Sequence, residues 1–460
     1  MLITDKLLKS GLMKKIIFTI LQLFLIILPV YPEQLDFNDF MSAALNNSYK
    51  LKTSHINLAI SHHGVKEAKA AYLPTISAYA TTERYNDLTK GNAQITAVGN
   101  EILLNRSYYQ DMAAIGLTYN IFDFGIRRKE LDIAKADDKQ KLIVLMKDTK
   151  DLKLDAVDIY ADALVLYKQS VINSEKLSLQ NELISINKRL RTAGELSEVD
   201  LVDSEIVASE TKSELDEVKN NLAKKLTEIS YYTNENYNIK DIELNDFPKD
   251  ISGAITDTKE PVKLSATLTE FIPEESVEAK VYDLEIFKKQ KEYEIQKKAN
   301  FPKIRFDTRY NFYGSDPHNF FYGLDDISQR SVTIRLSTSF TLFDGLKNIN
   351  TIAKKKLEVE KIKIEKAQQL AELKKKYEQI QLDCQNAITQ TENNEATLEL
   401  VNKNLDMLKR LHTNGIAAKS ECIKKQLELL DKKLKLEQNR IKNFTARYKM
   451  HILNTENYKL

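Results

Sequence analysis

Phe122-Asp123-Phe124-Gly125 and Leu342-Phe343-Asp344-Gly345 are the two stretches on which the fold turns. Each closes a region of alternating apolar and polar residues. Each then opens a run without glycine or proline, over 126–193 in the first case and 346–414 in the second. Asp123 stands 71 residues before Gly194, and Asp344 stands 71 residues before Gly415. Upstream, Ala71-Tyr72-Leu73-Pro74 and Ala299-Asn300-Phe301-Pro302 lead into the two alternating regions. The chain therefore carries two copies of one unit, a strand pair followed by a very long helix. At ~1.5 Å per residue, each uninterrupted run makes a helix on the order of 100 Å. Only 12 Gly and 8 Pro occur in 460 residues, which points to an elongated helical body and away from a globular enzyme.

The repeats are expected over 33–233 and 269–460, with strand pairs at about 74–123 and 302–343. Between them, 234–268 breaks the helical pattern at Pro248, Gly253 and Pro261 and reads as an equatorial connector. Within the strand regions the period is two. Ala113, Ile115, Leu117, Tyr119 and Ile121 share one face, with Ala114, Gly116, Thr118 and Asn120 on the other. In the second copy Ile304, Phe306, Tyr310 and Phe312 alternate with Lys303, Arg305, Asp307, Arg309 and Asn311. Val332, Ile334, Leu336, Phe340 and Leu342 do the same against Ser331, Thr333, Arg335, Ser337, Ser339 and Thr341. Ile76, Ala78 and Ala80 give a weaker version. Alternation alone favours a soluble sandwich, whose apolar face meets a second sheet, over an outer-membrane barrel, whose apolar face meets lipid.

Polar loops over roughly 83–110 and 314–329 join the strands, and Tyr and Phe cluster around them, among them Tyr79, Tyr85, Tyr108, Tyr109, Phe320, Phe321 and Tyr322. With no Trp in the chain, these residues would have to form any interfacial girdle. Four strands cannot close a transmembrane barrel, since the smallest have about eight and open edges are not tolerated in lipid. Strands placed in a membrane would therefore require several chains to share one barrel.

The amino terminus reads as an export signal over 1–32, with Met13 as an alternative start. Met13-Lys14-Lys15 precedes an apolar run from Ile16 to Val30, 15 residues long, against the ~20 that a spanning helix needs. Removing it takes away four Lys and one Asp and moves the formal charge from +2 to −1, which gives no basis for nucleic-acid binding. The two cysteines do not suit a disulfide. In a hairpin turning at Gly415, Cys384 lies 31 residues before the turn and Cys422 seven after, an offset of ~36 Å along antiparallel helices.

Taken together, the chain resembles the TolC family of trimeric outer-membrane channel-tunnels used in drug efflux and type I protein secretion. Leu35-Asp36-Phe37 and Ala43-Ala44-Leu45-Asn46-Asn47-Ser48 resemble the family's opening pattern. Ala68 to Pro74 and Lys298 to Pro302 resemble its helix-to-strand approaches, and the two Phe-Asp segments its strand-to-helix exits. Ala193-Gly194-Glu195-Leu196-Ser197 and Asn414-Gly415-Ile416-Ala417-Ala418 resemble its helix-turn-helix tips. The resemblance implies a mixed, mainly α protein with an internal duplication. It implies a homotrimer whose twelve-stranded β-barrel, four strands per chain, continues into a periplasmic α-helical barrel. It places the protein in the outer membrane of a Gram-negative bacterium. As partners it implies a periplasmic adaptor protein, an inner-membrane transporter of ABC, RND or MFS type, and outer-membrane lipid.

Six residues past each tip glycine stand Asp200 and Glu421. The resemblance implies that such carboxylates face the tunnel at its closed mouth, where a ring of like charges would favour cations. Against this stands the plain reading that both are solvated helix charges. Ala417 stands where the family can carry a gate-locking arginine, and Lys424 where it can carry a second acid. Arg191 and Lys424 are then the candidates for a latch. Gly194, Glu195, Leu196, Gly415, Ile416 and Ala417 would meet the adaptor.

Nothing points to an enzyme, a cofactor or a metal. His55, His62 and His63 lack partners at metal-ligand spacing, and no nucleophile motif or phosphate-binding loop occurs. The expected function is a passive exit duct for small molecules or proteins. The alternative is a periplasmic coiled-coil scaffold or structural surface protein whose strands form a soluble β cap.

Overall fold

The structure, a computed structural model, describes residues 33–86, 94–97, 100–103, 108–239, 242–248, 271–316, 318–319 and 329–455. The expected export signal, Gly253 and Pro261 of the connector, and Phe320, Phe321 and Tyr322 lie outside the described residues. In chain order the elements are β1 (Glu33–Leu35), α1 (Phe37–Asn47), α2 (Tyr49–Ala70), β2 (Thr75–Tyr85), β3 (Gln94–Ala97), β4 (Asn100–Leu103) and β5 (Tyr108–Phe122). Then come α3 (Ile126–Thr192), α4 (Glu198–Thr233), β6 (Ile242–Leu244) and α5 (Val277–Lys297). The last are β7 (Lys303–Asp316), β8 (Gln329–Ser339), α6 (Lys347–Thr413) and α7 (Lys419–Thr455). Both α3 and α6 are 67 residues long, so the duplication seen in the sequence is carried into the elements themselves.

Two compact units divide the described residues, and each draws on both repeats. The first takes residues up to Lys52, Asp148–Phe271 and those from Lys374 on; the second takes Thr53–Lys147 and Ile272–Leu373.

In the first unit, aromatic rings pack around Phe37 of α1. Phe37 meets Tyr160, Phe247 and Tyr448 edge-on at 5.0 to 5.5 Å between centroids, and Phe247 stacks on Phe444 at 4.2 Å. The Tyr160 hydroxyl lies 2.8 Å from the Leu35 carbonyl and 2.7 Å from that of Asn245. It thereby ties down β1 and β6, which pair in parallel from Glu33↔Ile242 to Leu35↔Leu244. Burial, with Asp36, Asp246 and Asp39 nearby, pushes the Tyr160 phenol well above its usual range. The seam of α4 repeats every seven residues through buried Leu201, Ala208, Leu215, Leu222 and Ile229, the spacing of knobs-into-holes packing. Cys384 and Cys422 are both buried and neither forms a disulfide.

In the second unit, an antiparallel sheet has the strand order β2-β5-β7-β8. Its register runs from Thr75↔Thr118 through Ile115↔Tyr310 to Lys303↔Ser339. The alternation read from the sequence holds over β2, β5 as far as Asn120, β7 and most of β8; past Asn120 a bulge sets Phe122, and not the expected Ile121, opposite Ile304. Two further details differ. Phe340 and Leu342 lie past the end of β8, because pairing stops at Lys303 and the preceding Pro302 has no N–H to extend the ladder. The first polar loop is shorter than expected, since it contains the hairpin β3–β4, paired from Gln94↔Leu103 to Ala97↔Asn100.

The duplicated aspartates cap the long helices. Asp123 accepts hydrogen bonds from the backbone N–H of Gly125 (3.0 Å) and Arg127 (3.1 Å) and from the Arg127 guanidinium (2.6 Å). Asp344 accepts from the Asn348 N–H (2.9 Å) and from the Asn300 amide (3.3 Å). Two left-handed residues follow each aspartate: Phe124 and Gly125 at φ 55° and 79°, Gly345 and Leu346 at φ 67° and 68°. Glycine fills the second position in one copy and the first in the other. The turn is thus preserved while its motif appears shifted by a residue. Ion pairs then join α5 to its neighbours: Lys288 reaches Asp137 (2.9 Å) while also pairing with Glu285 on its own helix (2.8 Å), Lys355 reaches Glu292 (2.7 Å), Lys366 reaches Asp283 (2.6 Å), and Lys129 pairs with Glu294.

Candidate functional site

The two tips are built alike on their first side and differently on their second. In the first, Gly194 sits at φ 78°; its N–H bonds Arg191 O and the Glu195 N–H bonds Leu190 O, both at 2.9 Å. In the second, Gly415 sits at φ 75°, with its N–H on His412 O and the Ile416 N–H on Leu411 O, again at 2.9 Å. These are Schellman closures, which satisfy the last helix carbonyls and need a left-handed residue where each glycine stands. A Cβ at either glycine would meet nothing within 4 Å, so the requirement lies in the backbone alone.

The returning helices start differently. Ser197 caps α4: its hydroxyl accepts from the Asp200 N–H at 3.1 Å and donates to the Asp200 carboxylate at 2.6 Å. Asp200 is therefore half of a Ser-x-x-acid cap, and its charge also favours the helix start. At the second tip Ala418 has no side chain to cap with. The Glu421 N–H bonds Ala418 O at 3.1 Å, and His412 Nδ1 lies 2.9 Å from Ala417 O across the turn.

Asp200, Glu421, Glu195, Ile416 and Lys424 are exposed, while Leu196 and Ala417 are half-buried. Arg191 pairs with Glu198 at 2.7 Å, within its own tip. Lys419 crosses from the second hairpin to Glu182 on α3 at 2.6 Å. Sequence reasoning did not single out Glu198, Lys419 or Glu182. Ser197 was legible, since a Ser three residues before an acid at a helix start is a recognisable signal. The Glu182–Lys419 pair joins residues from different repeats, and no local pattern announces it. Elsewhere, His62 Nδ1 lies 2.5 Å from Asp138, which also accepts from Ser61.

The second feature of interest is the sheet. In a single chain its apolar face is open: Ile76 is 70% exposed, Val332 62%, Ile334 71% and Leu336 68%. Ile115 and Tyr310 continue the same face in register. The opposite face presents Thr75, Ser77, Thr118, Asn120, Thr333 and Ser337 together with Lys303, Arg305, Asp307 and Arg309 of β7 and Arg335 of β8. Among the described residues, β2 and β8 have neighbours on one side only.

Residues 40–235 match the sequence model of the outer membrane efflux protein family. No curated protein matches the chain in sequence. In fold, the chain is similar to the CmeC outer membrane channel of Campylobacter jejuni, at 14% identity and TM-score 0.73 over 92% of this chain and 86% of that one. It is similar to the outer membrane protein VceC of Vibrio cholerae, at 12% identity and TM-score 0.70 over 91% and 95%. It is also similar to the MtrE outer membrane channel of Neisseria gonorrhoeae in its open state, at 13% identity and TM-score 0.65 over 90% and 88%.

Proposed function

We propose, for a chain with the TolC-like outer-membrane channel fold and with the efflux family's pattern over residues 40–235, that three copies form a passive exit duct across the outer membrane. One observation carries this reading. Among the described residues the four-stranded sheet ends in β2 and β8, each paired on one side only, and exposes an apolar face, an arrangement that lipid tolerates only in a closed barrel. Joining β8 of one copy to β2 of the next leaves no edge, and three copies of four strands give twelve.

The tips would then be the periplasmic mouth. Gly194, Glu195, Leu196, Gly415, Ile416 and Ala417 would meet the adaptor protein, through which an inner-membrane transporter supplies the energy for exporting small molecules or proteins. Asp200 and Glu421 would set the charge of the mouth, with Arg191 holding its own tip through Glu198 and Lys424 free to latch against a neighbouring copy. Light scattering on the detergent-extracted protein, corrected for bound detergent, tests the closure. Three chains per particle are expected. A monomer or dimer that needs no detergent would overturn the duct and leave the scaffold reading in its place.

A further inference from the structure

The polar face of the sheet carries a charge that the tip carboxylates do not account for. Register sets Lys303, Arg305 and Arg309 of β7 and Arg335 of β8 on this face, with Asp307 and, near the loop end of β2, Glu83. Four cations thus stand against two carboxylates. Arg305, Arg309 and Arg335 are exposed, and among the described residues none of the three forms an ion pair. Asp307 is Arg335's direct partner in the ladder, yet its carboxylate is held from the other side by the Thr118 hydroxyl at 3.0 Å.

Arg309 is positioned by three strands. Its guanidinium lies 5.8 Å from the centroid of the Tyr79 ring, with an N–H 3.4 Å from the Tyr79 hydroxyl. Its stem runs over Gly116, where a Cβ would meet Arg309 Cγ at 3.4 Å. Gly116 therefore gives the arginine room to lie along the wall, and Tyr79 anchors its far end.

We propose that this wall is a binding site for small anionic solutes, carrying phosphate or carboxylate groups, on their way out through the strands. The inference rests on the closed-barrel reading above. In a closed barrel the polar face lines water, and three copies of Arg305, Arg309 and Arg335 surround one lumen. Arginine stays charged at any working pH, and its planar fork matches carboxylate and phosphate oxygens. A water-filled passage with low-dielectric walls concentrates that field, so a multivalent anion is held more strongly than on an open surface.

The test uses the full-length protein in planar bilayers, with sodium tripolyphosphate added to each side in turn. The wild type is expected to lose conductance as the anion is added on the strand side. The triple variant Arg305→Ser, Arg309→Ser, Arg335→Ser should need at least tenfold more anion for half-block, and raised KCl should weaken block in the wild type. Arg309→Lys with Arg335→Lys keeps the charge and should keep the block. Light scattering confirms that each variant still assembles; if the triple variant does not, the single exposed change Arg309→Gln replaces it, with a smaller shift in the same direction. A wild type insensitive to tripolyphosphate, or a triple variant blocked equally well, overturns the anion site and leaves the channel standing. A wild type that gives no conductance at all overturns the channel reading and the anion site with it.

Discussion

Asn173 is expected to weaken the first hairpin, and replacing it with leucine to tighten it. On α3, Asn173, Gln180 and Asn187 recur every seven residues and are all buried. Gln180 donates to Thr211 and Asn187 donates to Ser204, both at 2.8 Å, which fixes α3 and α4 as antiparallel with a constant register. One heptad further on, that register sets Asn173 opposite Val218, and its amide nitrogen and oxygen both lack partners at 1% exposure. An orphaned buried amide costs about 1–3 kcal/mol. Leucine is close in volume, so overpacking is small and its burial adds to the gain. A net stabilisation of about 2 kcal/mol corresponds to roughly thirtyfold less local opening. Hydrogen exchange of the detergent-extracted protein, read on peptides from α3 and α4, should slow accordingly in Asn173→Leu. Thr211→Val is the contrast. It removes the partner of Gln180 and, at about 1 kcal/mol or more, should speed exchange by roughly fivefold. Unchanged or faster exchange in Asn173→Leu would mean that the amide is satisfied in solution, and would refute the reasoning.

Further outcomes follow from the tips and from α5. Gly194→Ala and Gly415→Ala each force a Cβ into a left-handed position at about 1–2 kcal/mol, so amide exchange at Glu195 and Ile416 should rise roughly 5- to 30-fold, and equally at both tips. Ser197→Ala should cost about 1 kcal/mol of α4 stability without changing ion selectivity, whereas Asp200→Asn with Glu421→Gln should weaken cation selectivity in planar bilayers; unchanged selectivity in the pair rejects their place at the mouth. Burial would raise Glu285, but hydrogen bonds from Lys288 and Gln140 outweigh it and hold the carboxyl below its ordinary 4.5. Its contribution is complete above that value and is lost as pH falls through the lowered one. For Lys288, burial is outweighed by Glu285 and Asp137, so its contribution is complete below 10.5 and lost as pH rises beyond. Thermal stability should therefore fall as pH drops below 4.5, and Glu285→Gln should flatten that acid limb; an unaltered limb would show that the pair does not report on folding.

What could be read in the sequence was whatever repeats or depends on one residue's backbone. The alternation of Ile304 to Phe312 and of Val332 to Leu336 became β7 and β8 in the expected phase, because period two leaves only two faces to choose between. The spacing of Asp123 to Gly194 and Asp344 to Gly415 located both long helices and both turns, since only glycine takes those φ values freely. Long-range partners were not legible. The pairing of β1 with β6 depends on Tyr160 reaching carbonyls of two distant segments, and the Glu182–Lys419 pair depends on the packing of different repeats. At the tips, the positions of Asp200 and Glu421 could be counted, but the hydrogen bond that makes Asp200 a cap could not.

That bond separates the two copies in structure. Asp200 and Glu421 occupy equivalent places, yet Asp200 is held by Ser197 while Glu421 has no such partner, since Ala418 replaces the serine. The seams behind them differ in the same way. Where the first hairpin buries Gln180, the second, 221 residues on, buries Val401, and the place of Asn187 is taken by Leu408. The first hairpin therefore combines a fixed carboxylate with a seam whose register is set by polar pairs, which resist sliding because each pair has only one match. The second combines a freer carboxylate with apolar Val401 and Leu408 at those two places, and its helices are also joined by the exposed Arg440–Glu395 pair at 2.8 Å. If the mouth opens by moving one hairpin against the other, the second has no buried polar pair at these two places to break and gives up only the exposed Arg440–Glu395 pair there, and Glu421 is the charge that travels with it.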